Sequence, residues 1–121
     1  KQIALWGLAF KHETHDMIEA PALVLIDKLI EAGANVKVYD PIAMDECKRR
    51  IGDKVVYATD MYDAVLDADA LLLVTEWKEF RMPSWLVLKK TMKKAVVVDG
   101  RNIYEKKELI EAGIEYSCIG K

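Results

Sequence analysis

The stretch Ala70-Leu-Leu-Leu-Val74 is a run of five apolar residues between the charged Asp69 and the polar Thr75. Its length is that of an ordinary strand, and a strand that is apolar on both sides is buried on both faces. Such strands belong to parallel sheets that helices cover on both sides. The run therefore predicts a central parallel strand in an α/β fold.

Segments with strand and helix character alternate on both sides of this run. Pro21 opens a helical pattern that ends at Gly33, and Asp60 is a typical N-cap for a further helix. The other predicted helices are 44–51, 61–66, 85–92 and 106–112. The predicted strands are 2–6, 35–39, 54–57, 70–74, 95–98 and 114–118.

Such alternation with short connections requires right-handed crossovers. We therefore predict a doubly wound, Rossmann-like parallel sheet of about six strands with helices on both faces. The expected strand order is 3-2-1-4-5-6. In folds of this kind, ligands bind beyond the carboxyl ends of the strands where the order reverses, here between strands one and four.

The chain has 121 residues, of which 52% are hydrophobic and 31% are charged, and its formal net charge is −2. These values predict one globular domain over residues 1–121. The nearly neutral charge gives no argument for nucleic acid or an anionic membrane as partner. No apolar run is long enough to cross a bilayer and no signal segment opens the chain, which favours a cytoplasmic protein.

Two further observations concern the ends and the thiols. The chain begins at Lys1, without an initiator Met, and enters a strand directly. We therefore expect it to be a piece of a longer protein. Cys47 and Cys118 have no CxxC spacing and are expected to be reduced thiols.

The turn after the first strand lacks the glycines of a dinucleotide site. A GxGxxG turn would place a pyrophosphate on the helix N-terminus. Here Gly7 is followed by Leu8, Ala9 and Phe10, and the helical pattern starts only at Pro21. Asp40 stands where such folds place a ribose-binding acid, but Asp-Pro at a strand end is also an ordinary turn. We favour the turn, and we do not expect this domain to bind NAD in the usual way.

Three loops are candidates for a binding site: residues 7–20, 75–81 and 99–104. The first is long and polar, which is typical of a functional loop. Each loop also has a purely structural interpretation. In that interpretation Trp77 and Phe80 are core residues, Lys11 and Arg81 are solvated, and Arg101 is an ion-pair partner of Asp99.

The three loops carry motifs that resemble one family. They read Gly7-Leu-Ala-Phe-Lys11, Thr75-Glu-Trp-Lys-Glu-Phe-Arg81 and Asp99-Gly-Arg-Asn-Ile-Tyr104. The first motif is followed by Thr14, Asp16, Glu19 and Pro21. In this order they resemble the C-terminal, UDP-binding domain of the UDP-glucose/GDP-mannose dehydrogenase family, and within it the UDP-glucose 6-dehydrogenases. The resemblance runs from Ile3 to Gly120.

The resemblance implies part of an oxidoreductase that converts UDP-glucose to UDP-glucuronate in two NAD-dependent oxidations. In that family an N-terminal Rossmann domain binds NAD, a long central helix builds the dimer, and the C-terminal domain closes over the nucleotide sugar. Neither Cys47 nor Cys118 lies in a motif that matches the catalytic cysteine. We therefore assign no catalytic residue and no cofactor to this chain, and we expect it to be inactive and monomeric alone.

The resemblance also assigns residues to the UDP-sugar. Lys11 and Arg101 would face the bound nucleotide sugar, and Phe10, the third residue assigned to the substrate site, would support the loop from below. A lysine and an arginine can both donate charge-assisted hydrogen bonds to a diphosphate. The residues assigned to the shape of the loop are Thr14, Asp16 and Glu19.

The first loop departs from the family at three positions. Ile18 stands where the family usually has a charged residue, and His12 and His15 are unusual there. Two histidines three residues apart suggest zinc, but the loop supplies too few ligands, and we predict no metal site.

Two other functions stay open at this point. One is the matching domain of a GDP-mannose or UDP-N-acetyl-mannosamine dehydrogenase, because much of the selectivity would come from residues outside this chain. The other is a standalone nucleotide-binding module without catalysis, which a gene beginning near Lys1 would favour.

Overall fold

The computed structural model of the chain describes residues 1–8 and 21–118. Most of the first candidate loop lies outside these residues. The predictions outside the described residues are those for Phe10, Lys11, His12, Thr14, His15, Asp16, Ile18 and Glu19.

Strands and helices alternate along the described residues. The strands are β1 (Gln2–Trp6), β2 (Asn35–Tyr39), β3 (Val56–Tyr57), β4 (Ala70–Leu73), β5 (Val96–Asp99) and β6 (Glu115–Cys118). The helices are α1 (Pro21–Glu31), α2 (Met44–Ile51), α3 (Met61–Val65), α4 (Lys78–Arg81), α5 (Trp85–Thr91) and α6 (Lys106–Glu111). In this part of the chain, no helix has both the length and the apolar character needed to cross a membrane.

Several predicted elements differ from the structure by one residue at an end, and two differences are larger. The third strand begins at Val56 rather than at residue 54, because a short 3-10 helix occupies Gly52–Lys54. The helix α4 was not predicted, since a single turn is too short to show helical periodicity. The N-cap prediction is confirmed: the Asp60 carboxylate accepts hydrogen bonds from the backbone N–H groups of Tyr62 and Asp63 in the first turn of α3.

The six strands form one sheet in the order β3-β2-β1-β4-β5-β6, and every pairing is parallel. This confirms the predicted topology. The order reverses between β1 and β4, where Leu5 pairs in register with Leu72. The carboxyl ends of these strands lead into the first two candidate loops.

Buried residues cover both faces of the sheet. On one face, Leu5 of β1 packs with Val38 of β2 and with residues of α1 and α2. On the other face, Trp6, Leu71 and Val97 pack with residues of α3, α4, α5 and α6. The alternation along β1 thus divides the core in two, as a doubly wound sheet requires.

The aromatic residues of the second loop belong to this core. Phe80 is fully buried and stacks on Trp6, with ring centroids 5.0 Å apart. Trp77 is 6% exposed. The structural interpretation of these two residues is therefore confirmed.

Replacing Phe80 with Ala removes the stacking partner of Trp6 and leaves a cavity. We expect a loss of about 3–5 kcal/mol in the free energy of unfolding, measured by urea denaturation. Met82→Ala, two residues away at a position that is 92% exposed, is the control and should change stability by less than about 0.5 kcal/mol. Equal effects of the two substitutions would contradict the core assignment.

Candidate functional site

Among the described residues two carboxylates are buried, both at the carboxyl edge of the sheet, and Asp40, directly after β2, is the first of them. Its Oδ2 accepts hydrogen bonds from the backbone N–H of Leu8 at 2.8 Å and from the indole N–H of Trp77 at 2.9 Å. Its Oδ1 accepts from the N–H groups of Ile42 and Ala43 at 2.8 and 2.7 Å. Asp40 is fully buried. It is therefore a turn residue, as predicted, and it also joins the loops after β1, β2 and β4.

Gly7 allows β1 and β4 to end close together. Its φ is +96°, and a Cβ at this position would lie 2.5 Å from Cβ and 2.6 Å from the backbone N of Thr75. Any side chain would therefore displace the start of the loop after β4. The glycine therefore serves strand packing here, and the Asp40 carboxylate already accepts four hydrogen bonds from the protein itself.

Asp99, at the end of β5, is the second buried carboxylate. Its Oδ1 accepts from the backbone N–H groups of Arg101 and Asn102, and its Oδ2 accepts from the N–H of Tyr104 and the hydroxyl of Tyr116. The four distances lie between 2.8 and 3.0 Å. Burial, followed by the hydrogen bond to Asp99, raises the pKa of Tyr116, which keeps its hydroxyl a donor.

Backbone packing and conformation also explain Gly100 and Asn102 of the Asp-Gly-Arg-Asn motif. The N–H of Gly100 donates to the carbonyl of Leu73 at 2.9 Å, and a Cβ on Gly100 would lie 2.6 Å from that oxygen. Asn102 adopts a left-handed conformation with φ 61°, which asparagine tolerates better than most residues. The loop that carries Arg101 is therefore fixed on both sides of it.

The Arg101 side chain does not pair with Asp99, so that structural interpretation is wrong. The guanidinium Nη2 lies 3.2 Å from Oε1 of Glu76, and the side chain is 43% exposed. The other oxygen of Glu76, Oε2, lies 3.2 Å from Nη2 of Arg81. Asp99 cannot be the partner because its oxygens already accept four hydrogen bonds. Glu76 thus connects the loop after β4 with the loop after β5.

Arg101 also lines a pocket, which we call the β4–β5 pocket, of about 300 Å³. The remaining lining is almost wholly apolar and comes from α1, from β4 and β5, and from the residues that directly follow these two strands. It consists of Leu25, Leu72, Leu73, Val74, Val98 and Gly100. An apolar recess with one cation at its edge suits a ligand that combines a flat or apolar part with a negative charge.

The described residues also include two thiols. Cys47 and Cys118 are free thiols, and burial raises the pKa of Cys47 although the Tyr57 hydroxyl donates to its Sγ. A buried thiol with a raised pKa is a poor nucleophile. Within residues 1–8 and 21–118, no cluster of three or more His, Cys, Asp or Glu residues could hold a metal ion.

Comparisons with known proteins place this arrangement in a family. The model of the UDP-glucose/GDP-mannose dehydrogenase family, UDP binding domain, matches residues 4–106. The chain belongs to this family. Its curated relatives include UDP-glucose 6-dehydrogenase TuaD of Bacillus subtilis, 42% identical over the whole chain, and UDP-glucose 6-dehydrogenase of Rhizobium meliloti, 43% identical over 99% of it. The chain spans only 26% and 27% of these two relatives.

Solved structures of family members share the fold. The UDP-glucose dehydrogenase of Pyrobaculum islandicum superimposes with a TM-score of 0.78 and 30% identity, covering 96% of this chain and 24% of that one. The NDP-N-acetyl-D-galactosaminuronic acid dehydrogenase of Methanosarcina mazei gives 0.84 and 29%, covering 99% of this chain and 24% of that one. A Rossmann-like domain of this family is therefore the architecture of the chain.

Of the predicted binding residues, the structure places Arg101 at the β4–β5 pocket. Lys11 and Phe10 lie outside the described residues. Sequence reasoning did not identify Glu76 as the partner of Arg101. The available signal was its position in Thr-Glu-Trp, directly after β4 and beside the strand that leads to Arg101.

Replacing Asp40 with Asn tests its role in joining the loops. The variant keeps the shape but presents an amide NH₂ to two donors that need an acceptor. We expect a loss of about 3 kcal/mol in the free energy of unfolding, measured by urea denaturation. The control is Asp27→Asn on the exposed side of α1, expected within about 0.5 kcal/mol of the parent. If both variants are equally stable, the hydrogen bonds of Asp40 do not stabilise the three loops.

Proposed function

We propose that this chain is the nucleotide-sugar-binding domain, spanning residues 1–121, of an NAD-dependent UDP-glucose 6-dehydrogenase. The observation that carries the proposal is the placement of Arg101 on a fixed loop at the edge of the β4–β5 pocket. The names of relatives more than 40% identical support UDP-glucose as the substrate of the full-length enzyme. That enzyme would oxidise UDP-glucose twice to give UDP-glucuronate.

In this proposal Arg101 binds the diphosphate together with Lys11 of the loop after β1, and Phe10 supports that loop. A diphosphate carries about two negative charges, and charge-assisted hydrogen bonds from a lysine and an arginine compensate them. Thr14, Asp16 and Glu19 would hold the shape of the loop. Closure of this domain over the ligand would exclude water from the reacting sugar.

NAD, which accepts the hydride, would be bound by another part of the full-length protein. The described residues argue against a dinucleotide here, because Gly7 is needed for strand packing and Asp40 has no oxygen left for a ribose. The catalytic cysteine would also lie outside this chain, and the chain alone would be inactive. The two free thiols fit a reducing, cytoplasmic compartment.

Removing either cation should weaken binding of the nucleotide. In the full-length protein that carries this chain, we expect Lys11→Ala and Arg101→Ala each to cost about 1.5–3 kcal/mol in UDP-glucose affinity, because each removes a charged hydrogen bond. Isothermal titration calorimetry with UDP-glucose and UDP-glucuronate measures this. Arg49→Ala, on the exposed α2 surface, controls for loss of a positive charge and should leave affinity unchanged.

Affinity that survives both substitutions would refute the site assignment. Turnover by the same protein with NAD and UDP-glucose, GDP-mannose or UDP-N-acetyl-mannosamine separates the proposed substrate from the alternatives. Binding without turnover of any of them would favour a non-catalytic module.

A further inference from the structure

Glu76 is the one carboxylate on the described residues that joins Arg101 to a second arginine, and the function proposed above gives it no role. We propose that Glu76 is a positioning residue, which holds the Arg101 guanidinium at the β4–β5 pocket before the ligand binds. This inference rests on the proposed function, and it concerns the geometry of Arg101 rather than a further ligand contact.

The backbone at Glu76 is fixed by its neighbours. Thr75 is 1% exposed and Trp77 is 6% exposed. The indole of Trp77 donates to the buried Asp40 at 2.9 Å, and the backbone N–H of Trp77 donates to the carbonyl of Thr75 at 3.1 Å. The Glu76 side chain, itself 23% exposed, therefore starts from an anchored position.

Arg81 fixes the other end of the same carboxylate. It lies on α4, next to Phe80, which is fully buried against Trp6. With Oε2 held by Arg81 at 3.2 Å, Oε1 is left facing Arg101 at 3.2 Å. The carboxylate therefore cannot turn away from Arg101 without losing a second ion pair.

This arrangement leaves Arg101 able to bind an anion. A guanidinium carries five N–H donors in a rigid fork, and the contact with Glu76 is made through Nη2. The two arginines and one carboxylate together carry a net charge of +1, so the position stays attractive to a phosphate. Because a free arginine side chain loses rotamer entropy when a ligand fixes it, prior fixation strengthens binding.

A second carboxylate in the chain provides a matched control. Glu46 also bridges two arginines, Arg49 and Arg50, at 2.6 and 3.0 Å, and it is also 23% exposed. All three residues lie within the single helix α2, and none of them lines the β4–β5 pocket. Glu46→Gln and Glu76→Gln therefore remove the same charge and the same kind of bridge at different places.

The first test is binding of UDP to the full-length protein by isothermal titration calorimetry. We expect Glu76→Gln to weaken UDP binding about three- to tenfold, with an unchanged unfolding temperature, and Glu46→Gln to leave it unchanged. In an Arg101→Ala background, Glu76→Gln should have no further effect, because its role acts through Arg101. Glu76→Asp, which keeps the charge but shortens the reach, should fall between the parent and Glu76→Gln.

Three results would overturn the proposal: unchanged affinity in Glu76→Gln, tighter binding, which would make Glu76 a competitor of the ligand, or an equal loss with and without Arg101. If Arg101→Ala still weakens binding in any of these cases, the proposed function stands and only the role of Glu76 fails. If the parent protein does not bind UDP, the proposed function itself fails.

The second test needs no ligand and keeps the inference testable in that last case. Labelling with p-hydroxyphenylglyoxal, mapped by peptide mass spectrometry, reports how readily each arginine reacts. We expect faster labelling of Arg101 in Glu76→Gln than in the parent or in Glu46→Gln. Equal labelling in all three proteins would show that Glu76 does not hold Arg101.

Discussion

The carboxylate of Asp40 is the interaction on which the carboxyl edge of the sheet depends. An isolated buried charge costs several kcal/mol, and this cost is offset only when hydrogen bonds satisfy the charge. Four donors from three chain segments do so here. The loops after β1, β2 and β4 therefore cannot separate without exposing unpaired donors and an unpaired charge.

Asp99, at the end of the neighbouring strand β5, is likewise a buried carboxylate that accepts four hydrogen bonds. It accepts from three N–H groups of its own loop and from the Tyr116 hydroxyl of β6. Asp40 thus fixes the loop that carries Glu76, and Asp99 fixes the loop that carries Arg101. A nucleotide site benefits from such rigidity because a side chain that is already in place loses less entropy on binding.

At the same edge, two positions that often bind a dinucleotide in Rossmann-like folds have structural roles. The position of the pyrophosphate-binding glycines is occupied by Gly7, whose missing side chain admits Thr75. The position of the ribose-binding acid is occupied by Asp40, which binds protein donors instead. The charged group at the pocket comes from the loop after β5.

The sequence by itself determined the topology of this protein. The apolar run at Ala70, the alternation of elements and the caps such as Asp60 are local signals, and with right-handed crossovers they favour the common strand order that the structure has. The ordered loop motifs pointed in the same way to the family, which the comparisons then established.

Only the tertiary structure decided which residues of those motifs serve packing and which face the pocket. Trp77 donates to an aspartate 37 residues away, and Arg101 pairs with Glu76 rather than with its neighbour Asp99. Such partners depend on which strand ends lie side by side and on how many donors a carboxylate has already accepted. Residue spacing along the chain does not reveal which strand ends are adjacent or which donors reach a carboxylate, because both are set only when the parallel strands align.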